Sequence, residues 1–209
     1  MERPATLHRG PFVFCAMLLP MGDGHWSHVL GVDDAPFSRE HRGNVLVVGV
    51  AMSADRVDGI LSTRVRRDGQ NATDKLAEMI SGSQFWAHLH AVLLQGIALA
   101  GFNVVDIWRL CEKLERPVLV MARRAPDMVA VKKALLGRVA GGQEKWAKIE
   151  RAGPMEPVGG VYVQRAGLSL DDAAALLKAT RREGQVPEAL RLAHLIAGGV
   201  TTGRSRGRA

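Results

Sequence analysis

The stretch HAVLLQGIALAGFNVVDIWRLCEKLERPVLVM (His90–Met121) decides the fold class. Its two ends, HAVLL (His90–Leu94) and PVLVM (Pro117–Met121), are short unbroken apolar runs, the pattern of strands buried on both faces. Between them, Phe102–Leu114 carries apolar residues at helical spacing. Strand, helix, strand implies parallel pairing through a right-handed crossover. Upstream the pattern changes. Val29–Asp33, Asn44–Met52 (NVLVVGVAM) and Gly59–Val65 (GILSTRV) read as strands whose connections suit an antiparallel meander. A helix follows, with Leu76, Met79 and Ile80 as its buried stripe and Asn71 or Thr73 placed to accept N–H groups of the first turn. Downstream, Pro126–Leu136 reads as a helix, Val161–Gln164 as a strand, and Leu170–Thr180 and Pro187–Ala197 as helices. The expected architecture is α/β: a mixed sheet, with an antiparallel three-strand meander plus parallel strands, flanked by helices.

With 209 residues, 47% hydrophobic and 23% charged, the chain can bury about 70% of its unfolded surface in one core. The reading is a single domain over residues 27–202, preceded by an extension (1–26) and followed by a basic tail (203–209). Within the extension, FVFCAMLLP (Phe12–Pro20) is far shorter than the roughly 20 residues of a spanning helix and lacks a small-residue cleavage site after it, so no membrane segment or secretory leader is expected. Lys and Arg total 28 against 21 Asp and Glu, a net charge of +7, which points toward polyanions and nucleic acid first among them. Charge alone is equally the mark of an ordinary solvated surface. Two cysteines, Cys15 and Cys111, are too few for a disulfide scaffold or a zinc knuckle, and a reducing, cytoplasmic compartment is the expectation. His25, His28, His88 and His90 lack the spacing of a zinc site, and no Walker loop, GxGxxG run or nucleophile elbow occurs.

The strand order has a chemical consequence. If the first and fourth strands lie side by side, their C-terminal ends face one another and a crevice opens where the connections diverge. Asp33 and Asp34 end the first of these strands and Gln95 the fourth. A helix docked across this edge would supply further groups.

GVDDAPF (Gly31–Phe37), DGQNATDKL (Asp68–Leu76), LLQGIALAGFNVVDI (Leu93–Ile107), PVLVMARRAPD (Pro117–Asp127) and PEALRLAHLIAGG (Pro187–Gly199) occur in the order of the motifs of one family. From about Val29 to its end the chain resembles endonuclease dU, the uncharacterised protein family 0215, and its relative endonuclease V. The resemblance implies a ribonuclease H-like fold, Mg2+ or Mn2+ as cofactor, and phosphodiester hydrolysis in DNA or RNA, near deaminated bases, in repair or processing. It also implies site residues: Asp33 as the principal metal ligand, Asp34 as a second acid, and His194 as the counterpart of an endonuclease V active-site residue and a further candidate metal ligand. Asp74 is a candidate helix-borne acid and Gln95 a weak metal ligand. Two positions depart from the pattern. Endonuclease V has an aspartate where this chain has Gln95, and many relatives have one where it has Asn71; an amide cannot balance a dication. The alternative function is therefore a nucleic-acid-binding relative whose catalytic site has decayed.

Each candidate also has a structural role open to it. Asp33 and Asp34 suit a turn before Pro36, Asp68 and Gly69 a loop turn, Asp74 a helix-dipole contact, Asp106 a cap or a pair with Arg109, and His194 a core position. Arg66, Arg67, Arg123, Arg124, Arg191, Arg204 and Arg206 are the candidate phosphate contacts, although Arg191 also stands one helical turn from Glu188. Phe37, Trp86 and Phe102 are the aromatic residues considered for stacking on a base.

Overall fold

The computed structural model describes residues 26–205. Nine strands and six helices alternate along it: β1 (His28–Asp34), β2 (Asn44–Ser53), β3 (Arg56–Arg66), α1 (Ala72–Ser81), β4 (Ala91–Gln95), β5 (Ala98–Leu99), β6 (Asn103–Val104), α2 (Ile107–Leu114), β7 (Val118–Ala122), α3 (Met128–Arg138), α4 (Gly142–Ala152), β8 (Glu156–Val158), β9 (Val161–Ala166), α5 (Leu170–Thr180) and α6 (Glu188–Thr202). Seven strands form one sheet in the order β3-β2-β1-β4-β7-β9-β8. The meander β1–β2–β3 is antiparallel, β1 pairs β4 and β4 pairs β7 in parallel, and β9 returns antiparallel to β7. Parallel register sets Val32 beside Leu94 and Gln95 beside Met121, so Asp33 and Gln95 leave adjacent strands at one edge.

Both faces of the central strands are covered. Leu30, Val92, Leu93, Leu94, Leu119 and Val120 are fully buried, which explains their unbroken apolar lettering. Trp26, assigned from sequence to the extension, is already part of this core. No described helix is long and apolar enough to cross a membrane. Residues 1–25 and 206–209, with Cys15, His25 and Arg206, lie outside the described residues.

Three local expectations are corrected. Residues 98–104 form a two-stranded hairpin instead of the first turns of a helix; Gly101 turns there at φ +87°, and α2 begins only after Asp106, whose carboxylate accepts the Arg109 N–H as its cap. Helix α4 was not expected, because its core-facing positions are Gly142, Lys145, Ile149 and Ala152, which do not spell an apolar stripe. Neither Asn71 nor Thr73 caps α1. The Asn71 carboxamide oxygen accepts from Arg66 N and from Asn103 Nδ2, the Thr73 hydroxyl accepts from Asp106 N, and the fully buried Asn103 accepts the Ala72 N–H.

The contact that positions everything else is between α6 and β1. A Cβ at Gly31 would sit 2.3 Å from the Ala189 carbonyl carbon and 2.4 Å from the Leu190 nitrogen, so backbone rests directly on backbone. Ala189, Ala193 and Ala197, spaced by four, give α6 the small face that allows this approach. Gly31→Ala is expected to destabilise the fold by about 1–3 kcal/mol in urea melts, as an overpacked core site does. Gly49→Ala, whose Cβ would meet only the flexible Met79 Cε at 3.3 Å and a Leu30 methyl at 3.4 Å, is expected to cost less. Equal losses at the two positions would contradict this account of α6 docking.

Candidate metal centre at the carboxyl edge of the sheet

From the Gly31 contact, β1 advances about 6.6 Å to Asp33, and α6 rises about 6 Å from Leu190 to His194. The two side chains meet. His194 Nδ1 lies 2.8 Å from Asp33 Oδ2, across 161 residues of sequence. Asp33 is 5% exposed, and its other oxygen accepts the Asp34 N–H at 2.9 Å. Burial, and next the charge of Asp34, raises its pKa from 3.8 to about 6, while the His194 hydrogen bond works in the opposite direction. Asp34 is raised too, chiefly by burial; its Oδ2 accepts the Ala100 N–H at 2.8 Å and so ties the site to the β5–β6 hairpin.

Gln95 completes the edge. Its Oε1 is buried without a hydrogen-bond partner. An orphaned carbonyl oxygen costs about 1–3 kcal/mol unless a group from outside the protein satisfies it. At an edge shared with the buried Asp33 carboxylate, whose pKa the neighbouring Asp34 charge raises, a hard cation is the group that would do so. The donor set of carboxylate and amide oxygens with one imidazole fits Mg2+ or Mn2+. Among the described residues no three His, Cys, Asp or Glu side chains converge into a preformed cluster. The Gln95 oxygen is accordingly the third donor on which this fit depends. His194, with its side chain 34% exposed, also lines a groove of about 440 Å³ with Pro36, Gly198, Thr202 and Arg204.

The remaining candidates are placed elsewhere. Asp74 stands on the outer surface of α1, bound by Arg109 at 2.8 Å and Lys113 at 2.9 Å, and the Lys113 hydrogen bond leads in lowering its pKa. Those two cations use the charge that a metal would need. Asp106 caps α2 and pairs with Arg151 at 2.9 Å. Arg67 is committed to structure: it donates to the Arg39 and His41 carbonyls at 2.6 and 2.5 Å and stacks over Phe37 at 5.4 Å. Arg191 is held by Glu188 through two contacts of 2.7 and 2.5 Å. Arg66, Arg123, Arg124 and Arg204 are exposed.

Sequence reading undervalued Asp68 and passed over Lys145. Asp68 occupies a left-handed turn position at φ +51°, accepts the Phe102 N–H at 2.9 Å and pairs with Arg67 at 3.2 Å. Lys145 is fully buried and donates to the Asp68 carbonyl at 2.6 Å; burial lowers its pKa, against the opposing Asp68 charge. Asp34 and Asp68 thereby grip the same 100–102 turn from two sides. A positive φ at a non-glycine residue is the feature that marks Asp68, and it is not written in the letters.

The endonuclease dU family profile matches residues 25–201. This chain belongs to the endonuclease dU family. A family 0215 protein of Deinococcus radiodurans is 52% identical over 181 residues, covering 87% of this chain and 92% of that one. Among solved structures, a protein of unknown function from Archaeoglobus fulgidus superposes with a TM-score of 0.79 at 36% identity, covering 84% of this chain and 99% of that one. Endonuclease V of Bacillus subtilis gives a TM-score of 0.54 at 12% identity, covering 82% and 79%. This last likeness shows the fold, which is ribonuclease H-like as the strand order suggested.

The raised Asp33 pKa sets a pH dependence for this endonuclease dU relative. Between about pH 4 and pH 6 the folded protein keeps a proton that the unfolded chain has released, so the Asp33 contribution to stability falls as pH rises through that window. Asp33→Asn removes the fall. In metal-free urea melts the variant is expected to gain on the order of 1–3 kcal/mol over the parent at about pH 8, a gain that shrinks toward pH 4. A difference independent of pH would contradict the burial of an uncompensated carboxylate.

Proposed function

We propose that this protein is a divalent-metal-dependent endonuclease that hydrolyses phosphodiesters in DNA or RNA near deaminated bases. The observation that carries the reading is the buried Asp33 carboxylate, hydrogen-bonded to His194, at the end of the strand that pairs with the one ending in Gln95, whose side-chain oxygen is buried without a partner. Membership of the endonuclease dU family supports it, as does the net charge of +7. Asp33 and Gln95 would hold Mg2+ or Mn2+, which when bound supplies the charge that activates water and stabilises the leaving oxygen of the phosphodiester. His194 orients Asp33 through Nδ1 and presents the rest of its ring to the groove where a strand would lie. Asp34 fixes the hairpin that borders the site. Arg204, which lines the same groove, would meet a phosphate of that strand.

The amides at Gln95 and Asn71 favour a second reading, in which nucleic acid is bound and not cut. The Asn71 carboxamide oxygen is taken up by the Arg66 N–H and the Asn103 side chain, whereas Gln95 would leave the cation one charge short. Incubation of inosine- or uracil-containing DNA and RNA with Mg2+ or Mn2+ distinguishes the two. The expected result is nicking that disappears in Asp33→Ala and falls about 10–100-fold in His194→Gln, the size of loss seen when a group orienting a metal ligand is changed. Nicking that survives Asp33→Ala would reject the assignment. Salt-sensitive binding with no nicking under any metal would establish the second reading.

A further inference from the structure

Residues 97–104 and helices α3 and α4 carry a second, smaller core of Val104, Leu135 and Ile149, with Phe102, Met128 and Trp146 packed against it. This unit stands on the carboxyl edge of the sheet, since Arg123 leaves β7 immediately after the positions paired with β4, next to Gln95. Between residues 123 and 151 there are eight Lys and Arg against three acids, a surplus of five in a chain whose whole net charge is +7. The charge surrounds an apolar surface. Met128, Val129, Lys132, Lys133 and Trp146 line a shallow groove of about 400 Å³, in which Val129 is 80% exposed and the Lys132 Nζ sits 4.9 Å from the centre of the Trp146 ring. Trp146 is fixed in orientation by its indole N–H, which donates to Glu150 Oε1 at 2.5 Å.

An apolar residue as exposed as Val129 at the rim of a tryptophan, in the most basic part of the molecule, calls for a ligand with a flat apolar face and a negative backbone. Unpaired nucleotides have both; a duplex turns its base faces inward. We propose that the α3–α4 unit is a docking platform for single-stranded nucleic acid, with a base stacked at Trp146 and phosphates held by Lys132 and Lys133. The platform rests on the nucleic-acid reading of the neighbouring site and gives that reading a strand direction, away from Gln95 and along α3. Helix α3 spans about 16 Å, enough for two to three nucleotides of extended strand. Phe37, Trp86 and Phe102, the aromatics suggested by sequence, do not line this groove, whereas Trp146 does.

The test is equilibrium binding of fluorescent oligothymidylate, a matched duplex and poly-glutamate to the full chain across a salt series. Oligothymidylate binding is expected to weaken about 10–100-fold in Trp146→Ala and to recover largely in Trp146→Phe, in line with the loss of one stacked base. Val129→Glu, at a site too exposed to disturb packing, is expected to weaken it as well. The double change Lys132→Ala with Lys133→Ala should flatten the salt slope by about 1.4, the value for two phosphates on a single strand. Parental binding retained in both Trp146→Ala and Val129→Glu would overturn the platform and leave the nuclease reading standing. No binding of any nucleic acid by the unmodified protein would overturn both. Poly-glutamate bound with the same dependence on Trp146, or a duplex bound as well as the single strand and equally weakened by Trp146→Ala, would assign the surface to another partner and overturn the proposal.

Discussion

Helix α6 reaches the sheet because β1 presents no side chain at Gly31. With any larger residue there, the backbone of Ala189 and Leu190 would be driven outward, and His194 would leave Asp33 with it. The rest of the site follows from two rises that happen to match, that of an extended strand over two residues and that of a helix over four. Chemistry in this molecule is therefore set by close packing. The alanine face of α6 contributes little apolar area per residue, and its value lies in distance.

Electrostatics explains why such a precise dock is needed. Asp33 is removed from water next to Asp34, whose charge raises its pKa, and His194 is the imidazole given to it among the described contacts. Any misplacement would leave the buried Asp33 carboxylate with the Asp34 N–H alone. The second acid is stabilised differently, by the Ala100 N–H, and through that bond the site is coupled to the hairpin, then to the Asp68 turn, and through Lys145 to α4. The metal-binding edge and the basic α3–α4 unit thus share one continuous set of hydrogen bonds, which fixes the distance between them.

Much of this was legible in the letters. Unbroken apolar runs at β4 and β7 announced a parallel pair, and the short connections of the first three strands announced an antiparallel meander. Asp33 and His194 were both named, because motif order carried what periodicity could not. Three things were hidden. Lys145 occupies a core-facing position, so α4 reads as polar although it is packed. The Asn103 side chain donates to the Arg66 carbonyl and to the Asn71 side chain, 37 and 32 residues away, and no local rule encodes such partners. Asp74 looked like a site acid by its neighbourhood in sequence, but α1 turns it toward Arg109 and Lys113; a helix places side chains by a 100° step, and one position decides whether an acid faces a crevice or solvent.

The central claim is that Asp33 and Gln95, held by the docking of α6, form the seat of one hard divalent cation. Titration of Mn2+ into metal-free protein at about pH 8, followed by electron paramagnetic resonance, tests it directly, since an octahedral oxygen site suits Mn2+ and its bound and free signals differ. Saturable binding that vanishes in Asp33→Asn and weakens in Gln95→Leu is the predicted result. Equal Mn2+ binding by the parent and by Asp33→Asn would contradict the account.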